Sequence, residues 1–422
     1  MMKNMRTRLG LFLAVMGPGV ITAFADNDAG GIATYAAAGA TYGYGLLFTL
    51  LISTVCLAIA QEISARTGAV TGRGLSDLIR EIFGVKWTFF AMIVLLIANI
   101  GTTASEFSGI ATSFEIFGIN KFVAVPIMAF VVWWAVLKGN YSRIEKIFFV
   151  LCATFLSYII SGAIIDPPWE EVLLATVTPN FASDANFLMI AIGLIGTTIT
   201  PWGQFYIQAA VVDKGITAKY YKYTFWDVMF GAFFTWLIAF FIIVATAATL
   251  NANNISIETV KDAAIALEPL AGKYASILFS FGLFGASMLA AFILPLSSAY
   301  AVCEAFGFES GISKNPKEAP IFFGVYTAII ILGAGIALWP GISLTMVMLT
   351  SQVVNGVLLP PILIFMVLIA SNESIMGKYQ NSTWYNAVAW IFTIVLIILT
   401  FMLLLSTVAP KFIESIIKLI GL

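Results

Sequence analysis

The sequence predicts an all-α integral membrane protein with eleven transmembrane helices, and three observations predict it. Sixty per cent of the 422 residues are hydrophobic and only 10% are charged, against about 25% charged in soluble domains. The apolar residues form continuous runs rather than the alternation of a membrane β-barrel, which selects helices. The basic residues fall in the loops with a strong bias to one side.

A helix needs about 20 apolar residues to cross a hydrocarbon core of about 30 Å. Runs of that kind lie near 10–38, 45–65, 88–116, 122–138, 146–165, 186–211, 224–250, 271–304, 319–338, 342–370 and 384–408. With the amino terminus in the cytoplasm, all 21 Lys and Arg except Lys121, Lys261, Lys273, Lys411 and Lys418 fall on the cytoplasmic side, and none is left in a membrane core. The carboxyl terminus is then extracellular. The basic start MMKNMRTRLG has no small-residue cleavage site and reads as a cytoplasmic tail. The tail APKFIESIIKLIGL reads as an interfacial helix.

Eleven spans suit two five-helix repeats of opposite orientation plus one extra helix. They divide the chain into 1–168, 169–370 and 371–422. Inverted repeats place the substrate at the midplane, where the first helix of each half is unwound. Spans 1 and 6 carry such interruptions.

Span 1 contains Asp26-Asn27-Asp28-Ala29-Gly30-Gly31. Two carboxylates in mid-membrane are costly unless paired, hydrated or bound to a cation. The glycines allow the backbone to turn and expose carbonyl oxygens. Either aspartate has a plainer reading, as a cap on the second half-helix. In span 6, Pro201 removes a backbone donor and Gly203 weakens the helix again, with Thr197, Thr198, Thr200 and Gln204 supplying neutral oxygens. Those threonines also have a plainer reading, as hydroxyls bonded to their own helix. Trp202 is a gate residue or a packing residue. Glu106 in span 3 is a functional candidate as an intramembrane carboxylate, or a partner for a neighbouring helix. Gln352 and Asn355 in span 10 place amides on a stripe that faces a cavity, and Asp227 at the start of span 7 reads as structural.

Other function classes lack their signatures. The net charge of −1 indicates no nucleic-acid partner. No P-loop, nucleophile elbow, HExxH or dinucleotide fingerprint is present, so neither an enzyme nor a nucleotide-driven pump is expected. Cys56, Cys152 and Cys303 lie far apart in apolar runs and read as packing residues. The absence of histidine removes the usual near-neutral proton carrier.

The segments GPGVITAFADNDAGGIATYAAAGATYGYGLLFTLLIS, QEISARTGAVTGRGLSDLIRE, GLIGTTITPWGQFYIQAAVV and SQVVNGVLLP together resemble the Nramp family of divalent-metal transporters. The resemblance runs through nearly all spans in order. It implies a LeuT-like 5+5 inverted repeat with broken helices 1 and 6. Together with the two breaks it gives an ion site at Asp28, Thr197, Thr200, Gly31, Asp26, Asn27 and Gln204. Trp202, Glu106 and Gln352 are the implied cavity or gate residues.

The departures from the family pattern share a direction. The family's DPGN reads Asp28-Ala29-Gly30-Gly31 here, so the aspartate is kept and the asparagine is lost. Its Ala-x-x-Met-Pro-His reads Thr197-Thr198-Ile199-Thr200-Pro201-Trp202, which loses the methionine and the histidine. The helix 3 aspartate aligns with Thr103, and the helix 9 arginines are missing. Replacing a soft thioether by a hydroxyl leaves an all-oxygen site, suited to Mg²⁺, which holds its waters. The pattern resembles the Nramp-related magnesium transporters of prokaryotes.

The expected cargo is therefore Mg²⁺, with Mn²⁺ as a second substrate, moved by alternating access without proton coupling across a prokaryotic cell membrane. A proton-coupled Mn²⁺/Fe²⁺ transporter and a Na⁺-driven carrier of small organic solutes stand as alternatives. The expected partners are the divalent ion and the lipid bilayer. No cofactor and no obligate protein partner are indicated.

Overall fold

The computed structural model describes residues 17–138, 159–160, 164–180, 185–255, 257, 259–267, 272 and 275–408. All regular structure there is helical. Among the described residues nine helices are long and apolar enough to cross a membrane. Another span is formed jointly by α1 (Pro18–Ala25) and α2 (Ala29–Tyr42). The expected fifth span near 146–165 and the expected tail helix lie largely or wholly outside the described residues.

The remaining elements follow the apolar runs. They are α3 (Leu47–Thr71), α4 (Leu75–Phe83), α5 (Val85–Glu115), α6 (Lys121–Lys138), α7 (Trp169–Val177), α8 (Ala185–Thr198), α9 (Pro201–Asp213), α10 (Tyr221–Thr249), α11 (Ala275–Phe306), α12 (Pro320–Leu338), α13 (Leu344–Ala370) and α14 (Thr383–Val408). Gly72 ends α3 in the left-handed conformation (φ 66°), where a residue with a Cβ is strained. The short amphipathic α4 was not expected. It lays Leu75, Leu78 and Ile79 against the bundle.

Burial separates the lipid-facing spans from the core. Of the most apolar stretch of each span, 83% is buried in α8–α9 but only 28% in α6 and in α14. The two broken helices therefore lie at the centre, with α1 and α2 packed on α10, α8 on α13 and α9 on α3. Small residues permit the closest of these crossings. A Cβ on Gly196 of α8 would lie 2.8 Å from Gly356 Cα of α13.

At the end of the bundle where α1 begins, side chains tie the helices together. Arg66 Nε lies 2.8 Å from Glu62 Oε1, and both residues are buried. Glu62 also accepts from the hydroxyls of Tyr385 (2.7 Å) and Tyr221, which joins α3 to α14 and α10. The extra acceptors and donors around this pair offset the cost of burying it.

Candidate ion site at the two helix breaks

Each break has a local chemical cause. Asp28 is the N-cap of α2, with Oδ1 accepting from Gly31 N at 2.6 Å. This is a favourable use of a short carboxylate at the positive end of a helix. Glu106 Oε2 of α5 takes the next exposed donor, Ala29 N, at 3.1 Å. In span 6, Thr200 is extended (φ −82°, ψ 143°), and Pro201 opens α9. A residue preceding proline is pushed out of the helical region, and proline has no N–H to continue the ladder.

Three oxygens converge beside Gly31. A Cβ at this position would lie 2.8 Å from Thr197 Oγ1, 3.1 Å from Asp26 O and 3.2 Å from Asp28 Oδ1. Thr197 Oγ1 is buried and has no hydrogen-bond partner in the protein. Asp28 is fixed from α13 as well, because Gln352 Nε2 donates to both of its oxygens at 3.1 and 3.2 Å. Asn355 Nδ2 in turn donates to Gln352 Oε1 at 2.9 Å and to Thr102 Oγ1 of α5 at 3.0 Å.

Among the described residues no three Asp, Glu, Cys or His side chains gather in a metal-binding group. The donor set beside Gly31 is one carboxylate, one hydroxyl and one backbone carbonyl. Such a set offers hard oxygen ligands and no soft one.

The other sequence-predicted residues divide around this point. Thr200 Oγ1 donates to Asp26 Oδ1 at 2.7 Å, so Thr200 faces Asp26 rather than Asp28. Asn27 Nδ2 donates to Thr235 O of α10 at 3.4 Å and turns away from span 6. Gln204 lies one turn further along α9, where its Oε1 accepts from Ser64 at 3.4 Å. Trp202 is fully buried, and its carbonyl accepts from Ser297 at 3.0 Å. Glu106 Oε1 has no donor of its own. It lies near the Asp28 carboxyl, which donates to it only when protonated.

A polar contact fixes α1 on one side of the site, and a cavity lies on the other. Asp227 of α10 accepts from Gly17 N (3.1 Å), Gly19 N (2.7 Å) and Val20 N (3.3 Å), which pins the first turn of α1. On the opposite side a cavity of about 430 Å³ lies between α2, α8 and α13. Thr34, Gly193 and Val353 are its lining residues nearest the site. Gly193 is one turn from Thr197, and Val353 adjoins Gln352.

With this geometry in view, comparison with known proteins is decisive. The family model of natural resistance-associated macrophage protein-like chains (Nramp) matches residues 19–406. The chain belongs to the Nramp family.

Members of the Nramp family in two bacteria illustrate the similarity. The divalent metal cation transporter MntH of Latilactobacillus sakei subsp. sakei is 29% identical, covering 94% of this chain and 90% of its own. That of Bacillus subtilis is 25% identical, covering 94% and 92%. The crystal structure of the Eremococcus coleocola manganese transporter, in complex with an aromatic bis-isothiourea substituted compound, superposes with a TM-score of 0.77. Its identity is 19%, over 95% of this chain and 88% of that one. MhsT in complex with L-phenylalanine gives 0.61 at 15% identity, over 94% and 98%. The Nramp chain therefore has the LeuT-like fold with broken helices 1 and 6, and it is a multi-pass membrane transporter rather than an enzyme.

Sequence reasoning had not singled out Gln61, whose Nε2 donates to Asp26 Oδ2 at 3.0 Å. The signal was available in the Nramp chain as an amide in mid-span 2, within the apolar run AIAQEIS. Asp227 was read as structural, but its partners at the start of α1 could not be foreseen, because they lie over 200 positions away in sequence.

Proposed function

We propose that this protein transports divalent cations, with Mg²⁺ as the main cargo and Mn²⁺ as a lesser one, by alternating access without proton coupling. One observation carries the reading: the Asp28 carboxylate, the unpartnered Thr197 hydroxyl and the Asp26 carbonyl gather beside Gly31, which has no side chain to fill the space between them. Direct Mg²⁺–oxygen contacts are about 2.0–2.1 Å, and the ion sheds its waters reluctantly. A hard oxygen set with one carboxylate and no soft ligand suits such an ion, which keeps much of its water shell. The MntH relatives support a divalent cargo, and the all-oxygen donors support a hard one.

In this reading Asp28 supplies the charge that holds the hydrated ion. Thr197 Oγ1 and the Asp26 carbonyl take its waters, and Gln352 keeps the Asp28 carboxylate aimed. The cavity beside Thr34 and Gly193 is the extracellular approach, and the Asp227 contact closes the cytoplasmic side. The basic-residue bias supports a cytoplasmic amino terminus in a prokaryotic cell membrane. The repeats are proposed to span 1–168 and 169–370. Moving two charges through 100 mV releases about 4.6 kcal/mol, enough to drive uptake alone.

The test is uptake into liposomes under a negative-inside potential, with internal pH followed at the same time. Mg²⁺ entry without acidification is the expected result. Absence of Mg²⁺ entry, with Mn²⁺ also inert, would overturn it. A second reading, proton-coupled Mn²⁺ transport, is favoured by the single observation that Glu106 adjoins Asp28. Acidification in step with metal entry, together with strong preference for Mn²⁺, would establish that reading instead.

A further inference from the structure

Asp26 faces two ways. Its backbone carbonyl borders the Gly31 position, while its carboxylate lies on the α9 side of the break. There Oδ1 accepts from Thr200 Oγ1 at 2.7 Å and Oδ2 from Gln61 Nε2 at 3.0 Å. Both donors are neutral. Among the described residues no basic side chain lies within ion-pair distance of this fully buried carboxylate. Asp26 also caps the carboxyl end of α1, the negative end of the helix dipole, which opposes an anion and favours a cation.

Two independent features point to a ligand there. Gln61 is fully buried, and its Oε1, on the same amide that touches Asp26, has no partner. Turning that amide over would bring Oε1 to face the Asp26 carboxylate, an arrangement that is repulsive unless a cation lies between them. The second feature is Gly203. A Cβ on it would lie 3.1 Å from Thr200 Oγ1 and 3.5 Å from Asp26 Oδ1, so its missing side chain leaves both oxygens approachable. Gln204, one residue on, carries an amide whose Oε1, now accepting from Ser64 at 3.4 Å, is the atom able to meet a cation.

We infer that Asp26, Thr200, Gln61 and Gln204 form a second cation station, on the cytoplasmic side of the one at Asp28. The cation is the transported divalent ion on its way out. This rests on the reading that Asp28 holds the ion first. Thr197 and Thr200, three residues apart, then serve one station each, and Asp26 joins the two through its own backbone. The Gln61 amide donates to Asp26 before the ion arrives and coordinates through Oε1 once it is present. A pathway with two stations needs neither to bind tightly, which favours throughput over retention.

The experiment uses the purified full-length chain, with Mg²⁺ binding measured by calorimetry and Mg²⁺ uptake measured in liposomes under a negative-inside potential. Asp28→Asn should lose both. Asp26→Asn should bind Mg²⁺ within about threefold of wild type while its maximal uptake rate falls about tenfold or more at a similar KM. The asparagine amide and a turned-over Gln61 satisfy one another, so that variant keeps its fold. Gln61→Met, of similar length but without the amide, should repeat the pattern if Asp26→Asn proves unstable. Gln61→Glu, which adds a second carboxylate to the station, should raise the binding stoichiometry from about one Mg²⁺ to about two. Loss of Mg²⁺ binding in Asp26→Asn, as in Asp28→Asn, would merge the stations into one and overturn the inference. Wild-type uptake by both Asp26→Asn and Gln61→Met would overturn it from the other side. Unchanged binding in Asp28→Asn would instead sink the reading of Asp28 as the first ligand.

Discussion

The side-chain nitrogen of Gln352 lies 3.1 and 3.2 Å from the two carboxylate oxygens of Asp28. An amide from α13 thus fixes the charged group at the start of α2 across 324 residues of sequence. Partners of this kind, one step from the ion, typically contribute about 10–100-fold to metal affinity. Gln352→Met should therefore weaken Mg²⁺ binding by about tenfold or more, read by calorimetry. An unchanged affinity would reduce Gln352 to a packing residue.

Gly31 tests the spacing of the oxygens. In Gly31→Ala the new Cβ would press on Thr197 Oγ1 at 2.8 Å and displace the water shell. Uptake should fall about tenfold or more. The penalty should shrink when Thr197→Ala is already present, with a coupling of about 0.5–3 kcal/mol between the two positions. Strict additivity would mean that the two residues do not share one site.

Thr200→Met restores the soft ligand of the family pattern but at a position facing Asp26. The binding preference between Mg²⁺ and Mn²⁺ at the Asp28 station should stay within about threefold of wild type, because Gly31 and the oxygens around it are unchanged. Competition between the two ions in equilibrium binding to the purified protein measures this. Tight Mn²⁺ binding that depends on the new methionine would contradict a hydrated cargo.

Asp227→Asn removes a charge that receives three backbone N–H groups at the start of α1. The cost should be about 1–3 kcal/mol, seen as a lower melting temperature of the purified protein. Accessibility should change as well. A cysteine introduced at Thr22, in the middle of α1, should react faster with a thiol reagent applied from the cytoplasmic side. Equal labelling rates with and without the mutation would show that Asp227 does not hold the inner side closed.

The spans within the described residues were legible in the sequence because apolar runs are a one-dimensional signal. Both breaks were legible too, since Asp28 caps a helix and Pro201 stops one. The partition of the site was not. Asp26 and Asp28 look equivalent in a string of letters, and only the turn between α1 and α2 sends their carboxylates to different neighbours. Thr197 and Thr200 were read as one set for the same reason. Helices buried on most sides give little periodicity to show which face meets which, so the contacts of Gln61, Gln204 and Asn27 could not be read beforehand. The helix Leu75–Phe83 was hidden because it is too short and too polar to register as a span.

Both halves of the first span pack on α10, but their side-chain hydrogen bonds go to different parts of the molecule. α1 is fastened to α10 by Asp227, whereas α2 is fastened to α5 and α13 by Glu106 and Gln352. The oxygens around Gly31 are divided in the same way, with the Asp26 carbonyl belonging to the end of α1 and the Asp28 carboxylate to the head of α2. Any motion that carries α1 away from α10 therefore withdraws one oxygen while the carboxylate stays where it is. In the proposed transport cycle, the ion is let go by splitting its surroundings between a travelling piece and a stationary one, and no charged group has to be neutralised for that to happen.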